Sequence, residues 1–370
     1  MSMVQVSGKM LRRLGVVLAL GAAAAAPAAD AGNGSGLAQA IAQTIAAMQE
    51  IGQQTEAALG KILGQSGGSL GAALVQSLDE TGLVLAELSP YYLDPTTGTA
   101  SSSGTITVQG EARSYILIRP AAAVANAPAL LLLHATGMTS DGMANLARAG
   151  RLAQQYGVYV YLPQAKGGSW NENPSSGRTV DDVGFLSGLI DHAVADDGVD
   201  ASRVYIAGYS SGGFMAERMA CQVSPKIAGF VAVAATLRDS LESVCAPAHA
   251  MPAAFMDGTS DVVVPYKGEP TLQSASAAVT WWATTNACLP LTEMQTTTLP
   301  QQVSDGTSVA QTSFTACPAG AAAALYTING GGHTWPGSED GAFTAWLGRT
   351  TGNLDATIAL WDFLSPYQLN

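Results

Sequence analysis

Residues 208–213 read Gly-Tyr-Ser-Ser-Gly-Gly, a G-x-S-x-G pentapeptide centred on Ser210. A serine hydroxyl is a weak nucleophile until a neighbouring base takes its proton, and a sharp turn between glycines lifts such a serine clear of a sheet edge. The pentapeptide follows the strand-forming stretch 203–207 and precedes the helix-forming run 214–220, the strand, turn, helix context this chemistry needs. The N–H of Ser211 then falls at a helix N-terminus, where partial positive charge stabilises an oxyanion.

The chain has four histidines from which the base must come. His134 ends a predicted strand, His192 lies within a predicted helix, and His249 follows Cys245 in a short loop, all positions for structural or surface roles. His333 sits in Gly330-Gly331-Gly332-His333-Thr334-Trp335-Pro336-Gly337, just after the last predicted strand, where a pliant backbone brings an imidazole over the sheet edge. The orienting acid should lie between Ser210 and His333 in the chain, and residues 257–261, Asp-Gly-Thr-Ser-Asp, offer two candidates. Asp257 belongs to the strand end, whereas Asp261 lies past a glycine turn and farther out, so Asp261 is the expected partner of His333. The second oxyanion donor is expected from the backbone of Thr136, in the loop Ala135-Thr136-Gly137-Met138. Trp335, next to His333, and Trp170, in Gly167-Gly168-Ser169-Trp170-Asn171, are candidate substrate-lining residues, with a place in the buried core as the equal alternative for each.

These residues require a particular frame. Predicted strands at 105–109, 114–119, 129–134, 158–162, 203–207, 229–233, 252–256 and 323–328 alternate with predicted helices at 143–156, 183–195, 211–222 and 274–284. Such alternation implies an α/β fold, a mostly parallel sheet covered by helices on both faces. The polar stretch 95–104 has no apolar periodicity and reads as a linker, which places the catalytic domain at 105–370. Before it, Leu37, Ile41, Ile45, Met48 and Ile51 recur at helical spacing, so 32–94 reads as a helical N-terminal extension, a candidate surface for homo-oligomerisation or substrate adsorption. Lys9, Arg12 and Arg13 precede an apolar, Ala-rich run to Ala29, the pattern of a secretory signal peptide over 1–31.

Composition narrows the partners. Of 370 residues 12% are charged and 48% hydrophobic, with 16 basic against 28 acidic side chains, so a nucleic-acid surface is excluded. Cleavage of the leader would remove three basic and one acidic residue and make the net charge of −12 more negative still. The Ala-rich leader run is too short and weakly apolar for stable membrane insertion. No H-x-H, H-E-x-x-H or C-x-x-C spacing occurs, so neither metal nor other cofactor is expected. Export makes disulfides the expected state of Cys221, Cys245, Cys288 and Cys317, with three connectivities open.

Taken in order, the strand ending at His134, Val180-Asp181-Asp182-Val183-Gly184-Phe185, residues 199–205, 208–213, 257–266 and 331–337 resemble the secreted esterases grouped with poly(3-hydroxybutyrate) depolymerases and feruloyl esterases. The resemblance spans about residues 104–370 and implies an α/β-hydrolase fold with Ser210 as nucleophile, Asp261 as acid and His333 as base. It also favours the pairs Cys221–Cys245 and Cys288–Cys317. Two positions depart from the family pattern, Ala135 where glycine is usual after the histidine and Asp257-Gly258 where His-Gly is usual. The implied activity is ester hydrolysis on a polyhydroxyalkanoate or related polyester. Feruloyl or acetyl esters of plant polysaccharide, or a polymer amide, are the alternatives.

Overall fold

A computed structural model of the protein describes residues 96–338 and 347–369. The expected signal peptide at 1–31 and helical extension at 32–94 lie outside these residues. Among the described residues ten strands form one sheet in the order β1-β2-β4-β3-β5-β6-β7-β10-β9-β8. They are β1 Thr99–Val108, β2 Glu111–Pro120, β3 Ala127–Leu133, β4 Tyr159–Pro163, β5 Val199–Tyr209, β6 Gly229–Val233, β7 Pro252–Gly258, β8 Met294–Thr298, β9 Ser308–Phe314 and β10 Ala322–Asn329. The six central strands, β4, β3, β5, β6, β7 and β10, pair in parallel, and the antiparallel pairs lie at the two ends.

The sequence explains the central strands directly. Leu130-Leu131-Leu132-Leu133, Val158 to Leu162 and Phe230 to Val233 are apolar without alternation, and all are buried because helices cover both sides. One face carries α3 Asp182–Ala195, α4 Ser211–Gln222 and α6 Ala275–Thr285, whose Phe185, Leu189, Met215, Met219, Val279 and Trp282 meet Ile206, Phe230 and Phe255. The other carries α1 Ser140–Leu146, α2 Gly150–Tyr156 and α7 Ala356–Leu364, whose Met143, Leu152, Leu360 and Trp361 meet Leu130, Leu132, Tyr205 and Val231. One further short helix, α5 Asp239–Glu242, follows β6.

Three expectations need correction. The stretch expected to be a linker contributes its last six residues to β1, because Thr99 to Gly104 pair in register with Pro120 to Tyr115 of β2. Most of that edge strand is exposed or half-buried, which is why it lacks an apolar period. The single helix expected over 143–156 is two, α1 and α2, broken where Arg148 adopts φ 49°. Strands β8 and β9 have no counterpart in the sequence reading, since Met294–Thr298 is exposed on both faces.

Cys221 pairs with Cys245 and Cys288 with Cys317, closing spans of 24 and 29 residues. The first fastens the C-terminal end of α4 to the loop after α5, and the second ties the end of α6 to the β9–β10 connection. Loops of this length stabilise the native state by about 3–4 kcal/mol each through the entropy of the unfolded chain. Replacing Cys288 and Cys317 together by Ser should therefore lower the urea midpoint and, because the freed unfolded chain exposes more surface, raise the slope of the transition. An unchanged midpoint under non-reducing conditions would show that this bridge does not constrain the chain.

Candidate active site

Ser210, Asp261 and His333 follow the C-terminal ends of the parallel strands β5, β7 and β10. Ser210 follows β5 with φ 55° and ψ −119°, a conformation that L-residues rarely adopt and that turns the side chain out of the strand. The residues two before and two after it must be glycine. A Cβ on Gly208 would stand 2.2 Å from the carbonyl carbon and oxygen of Gly212, and one on Gly212 would stand 2.4 Å from the carbonyl oxygen of Leu133. The start of α4 thus rests against both β5 and the end of β3, which brings the N–H of Ser211 towards the loop that begins at His134.

The structure brings Ser210, Asp261 and His333 together across two chain crossings. His333 Nε2 lies 2.9 Å from Ser210 Oγ, and His333 Nδ1 lies 2.7 Å from Asp261 Oδ2. With Nδ1–H donated to the carboxylate, Nε2 is left as the acceptor that a serine proton requires. Asp261 is held in turn, because its Oδ1 accepts the N–H groups of Val263 and Val264 at 2.8 Å each. Asp261 and His333 are buried, whereas Ser210 is half-buried and open to a substrate. Gly258 makes the crossing possible, since a Cβ there would meet the carbonyl oxygen of Gly331 at 2.4 Å. Tyr209, beside the nucleophile, donates its hydroxyl to the His333 carbonyl at 2.7 Å and its ring lies 5.4 Å from the imidazole.

Asp257, the rejected acid, is buried at the end of β7, and desolvation, reinforced by the charge of Asp261, pushes its carboxyl well above the usual range. Only one of its oxygens is satisfied, by the N–H of Ala235. Burial thus favours the neutral form of Asp257 behind the triad.

The oxyanion side is built by the β3 and β4 loops. His134 is fully buried, and desolvation lowers its pKa to about 4, so it is neutral. Its Nδ1–H donates to the carbonyl of Ala135 at 2.7 Å and its Nε2 accepts the N–H of Ala165 at 3.0 Å, which makes it the post on which the loop bends. Within that loop the N–H of Gly137 goes to Gly168 and that of Met138 to Ala135. The N–H groups of Thr136 and Ser211 meet no acceptor among the described residues, the condition of donors held for a ligand.

The two tryptophans take the core placement rather than the substrate-lining one. Trp170 and Trp335 are both fully buried, with Trp170 Nε1 donating to the His134 carbonyl at 2.9 Å and Trp335 Nε1 donating to Thr357 Oγ1 at 3.1 Å. Neither face reaches a substrate. Large rings beside glycine turns serve here as weights that hold the turns, because an indole buries much apolar area and still needs one hydrogen-bond acceptor. The other histidines also serve structure. His192 lies 2.8 Å from the Tyr115 hydroxyl and 2.6 Å from Asp196, and His249 lies 2.8 Å from the Ser224 carbonyl. Among the described residues no cluster of three or more His, Cys, Asp or Glu could hold a metal, and no helix is long and apolar enough to cross a membrane.

Residues 113–277, from β2 through most of the parallel sheet to the start of α6, match the family described as Esterase PHB depolymerase. The chain is an ester hydrolase of the α/β-hydrolase superfamily. NocK of Nocardia uniformis subsp. tsuyamanensis, which bears a provisional esterase name, is 25% identical over 304 residues, 77% of this chain and 88% of its own. Feruloyl esterase B of Piromyces equi is 32% identical over 178 residues, covering 45% of this chain and 31% of its own. Poly(3-hydroxybutyrate) depolymerase of Ralstonia pickettii is 33% identical over 112 residues, 26% of this chain and 23% of its own. The esterase thus spans most of the first relative and less than a third of each of the other two.

One buried acid on the nucleophile helix gives the esterase a pH-dependent stability. Glu217 is fully buried, its Oε1 accepts Trp282 Nε1–H at 2.8 Å and its Oε2 has no partner, so desolvation raises its pKa from 4.5 to about 8. A carboxyl whose pKa rises on folding must keep a proton that the unfolded chain releases. Its contribution is therefore fully favourable below pH 4.5 and is lost as pH rises through about 8. Across this window the stability should fall by up to about 1.4 kcal/mol per pH unit for this group. Thermal melts of the Glu217→Gln variant should show a flatter dependence between pH 5 and pH 8, and an identical slope to wild type would refute the assignment.

Proposed function

We propose that this esterase works outside the cytoplasm and cleaves a polyester of the polyhydroxyalkanoate class, or its oligomers, through an acyl-enzyme on Ser210. The observation that carries the chemistry is the continuous chain of hydrogen bonds from Ser210 Oγ through His333 to Asp261. His333 Nε2 takes the Ser210 proton as Oγ attacks the ester carbonyl. Asp261 holds the imidazole in the required tautomer and stabilises the imidazolium, and the N–H groups of Ser211 and Thr136 receive the negative oxygen. His333 then returns the proton to the departing alcohol, and a water deprotonated by the same nitrogen releases the acyl group.

Support for a polyester comes from the match of residues 113–277 to the depolymerase family and from the depolymerase of Ralstonia pickettii. Support for export comes from the leader-like start of the sequence and from the two disulfides, which persist in oxidising compartments. A second reading, hydrolysis of feruloyl esters, is favoured by the longer stretch shared with the Piromyces equi esterase. Incubation with polyhydroxybutyrate and with feruloylated oligosaccharides, followed by mass spectrometry of the products, separates the two. Release of 3-hydroxybutyrate monomers or oligomers is the expected result. Release of ferulate alone would replace the polyester by the second reading.

A further inference from the structure

The stretch from Gly168 to Asn171, after β4, is tied down residue by residue. The Gly168 carbonyl accepts the Gly137 N–H at 2.7 Å, and Trp170 Nε1 donates to the His134 carbonyl. Arg178 donates to the Ser169 and Trp170 carbonyls at 3.1 and 3.3 Å. The N–H of Asn171 goes to Asp182, whose buried carboxylate also pairs with Arg113 at 2.6 Å. Two of these bonds end on the oxyanion loop or its anchor histidine, and a third joins them: Ser169 Oγ lies 2.9 Å from Thr136 Oγ1. Ser169 is itself buried, so water does not compete well for that hydroxyl.

The Thr136 N–H stays available while those of the next two residues are engaged. Its N–H direction follows from the backbone torsions on either side of it, and the loop belongs to no helix or strand, only to a turn that the Met138 N–H closes on the Ala135 carbonyl. Main-chain bonds at Gly137 and Met138 hold the downstream side, and the His134 imidazole holds the upstream side. The Thr136 side chain is the remaining handle, and Ser169 grips it.

We infer that Ser169 is a positioning residue for catalysis, which presets the Thr136 oxyanion donor through the hydroxyl pair between them. The inference rests on the acyl-enzyme reading above. It assigns to the β4 loop a task beyond packing, the removal of the reorganisation that the loop would otherwise undergo as charge forms on the carbonyl oxygen. Loss of one oxyanion donor outright costs about 10²–10³ in rate, so a donor left in place but unsteadied should cost less, about 10-fold.

The test uses the full chain with Ser169→Ala, Ser169→Thr, Thr136→Val and the double variant Ser169→Ala/Thr136→Val. Thr136→Val keeps the backbone N–H and the branched shape and removes only the hydroxyl. On p-nitrophenyl butyrate, Ser169→Ala and Thr136→Val should each lower kcat about 10-fold with KM within twofold of wild type. Each should weaken inhibition by an alkylboronic acid, a tetrahedral adduct at the nucleophile, by the same factor. The double variant should be no worse than either single, because both remove one bond, and Ser169→Thr should recover most of the rate. Losses that multiply in the double variant, or a falling melting temperature with kcat and boronate affinity unchanged, would overturn the inference. Failure of the underlying reading looks different: wild type would then show no boronate inhibition, or Ser210→Ala would retain full activity.

Discussion

His333→Ala should lower kcat on a soluble ester by about 10⁵–10⁶ and leave KM nearly unchanged, the loss seen when a nucleophile is deprived of its base. The expectation follows from the placement of the imidazole, which touches Ser210 on one side and Asp261 on the other and has no substitute in reach. His134 is near in sequence to the oxyanion loop, but both its nitrogens are occupied by the loops it joins. His192 and His249 are bound to groups elsewhere in the fold. Asp261→Asn should cost about 10⁴ by leaving the imidazole in the wrong tautomer, with Nδ1 bare and Nε2–H facing Ser210. The order of severity, His333 worse than Asp261, is part of the prediction. Comparable activity of His333→Ala and wild type on p-nitrophenyl butyrate would mean that another group takes the serine proton.

Gly208→Ala should be severely damaging for the addition of a single methyl group. The new Cβ would stand 2.2 Å from the backbone of Gly212 and 2.8 Å from the nitrogen of Gly213, atoms that cannot rotate away as a side-chain end can. The first turn of α4 must therefore move off β5, and it carries both the nucleophile and the Ser211 N–H with it. Overpacking of this kind costs about 1–3 kcal/mol in stability. A displacement of about 1 Å at the reacting atoms costs about 10² in rate, so kcat should fall at least that far in protein that still folds. Circular dichroism and a thermal melt separate misplacement from unfolding. Gly258→Ala is the companion, because it pushes the Gly331 and Gly332 carbonyls and so shifts His333 while leaving Ser210 in place. Full activity in folded Gly208→Ala would contradict the close approach of α4 to β5.

The two glycine variants also explain which parts of the site could be read from the chain. Gly208, Gly212, Gly258 and Gly331 are local signatures of turns, and each stands within a few residues of a triad member, so the turn and the reactive group appear together in one short string. The parallel strands were equally plain, because stretches such as Leu130 to Leu133 can be buried on both faces only inside a covered sheet. What escaped depends on contacts between distant segments. The pairing that turns Thr99 to Gly104 into strand is supplied by β2, not by its own apolar pattern. β8 is exposed throughout, so burial left no period in Met294 to Thr298. The burial of Trp170 and Trp335 follows from acceptors on His134 and Thr357, which no spacing reveals. Ser169 and Thr136 are 33 residues apart and meet only because β4 lies beside β3.

The central claim is that Ser210 carries the acyl group. Labelling the purified protein with an alkyl fluorophosphonate and locating the adduct by peptide mass spectrometry tests it directly. One label per chain is expected, on the peptide containing Ser210, with ester hydrolysis lost in proportion to labelling, and no label in Ser210→Ala or His333→Ala. A label on any other residue, or hydrolysis that continues at the wild-type rate once Ser210 is fully modified, would contradict it.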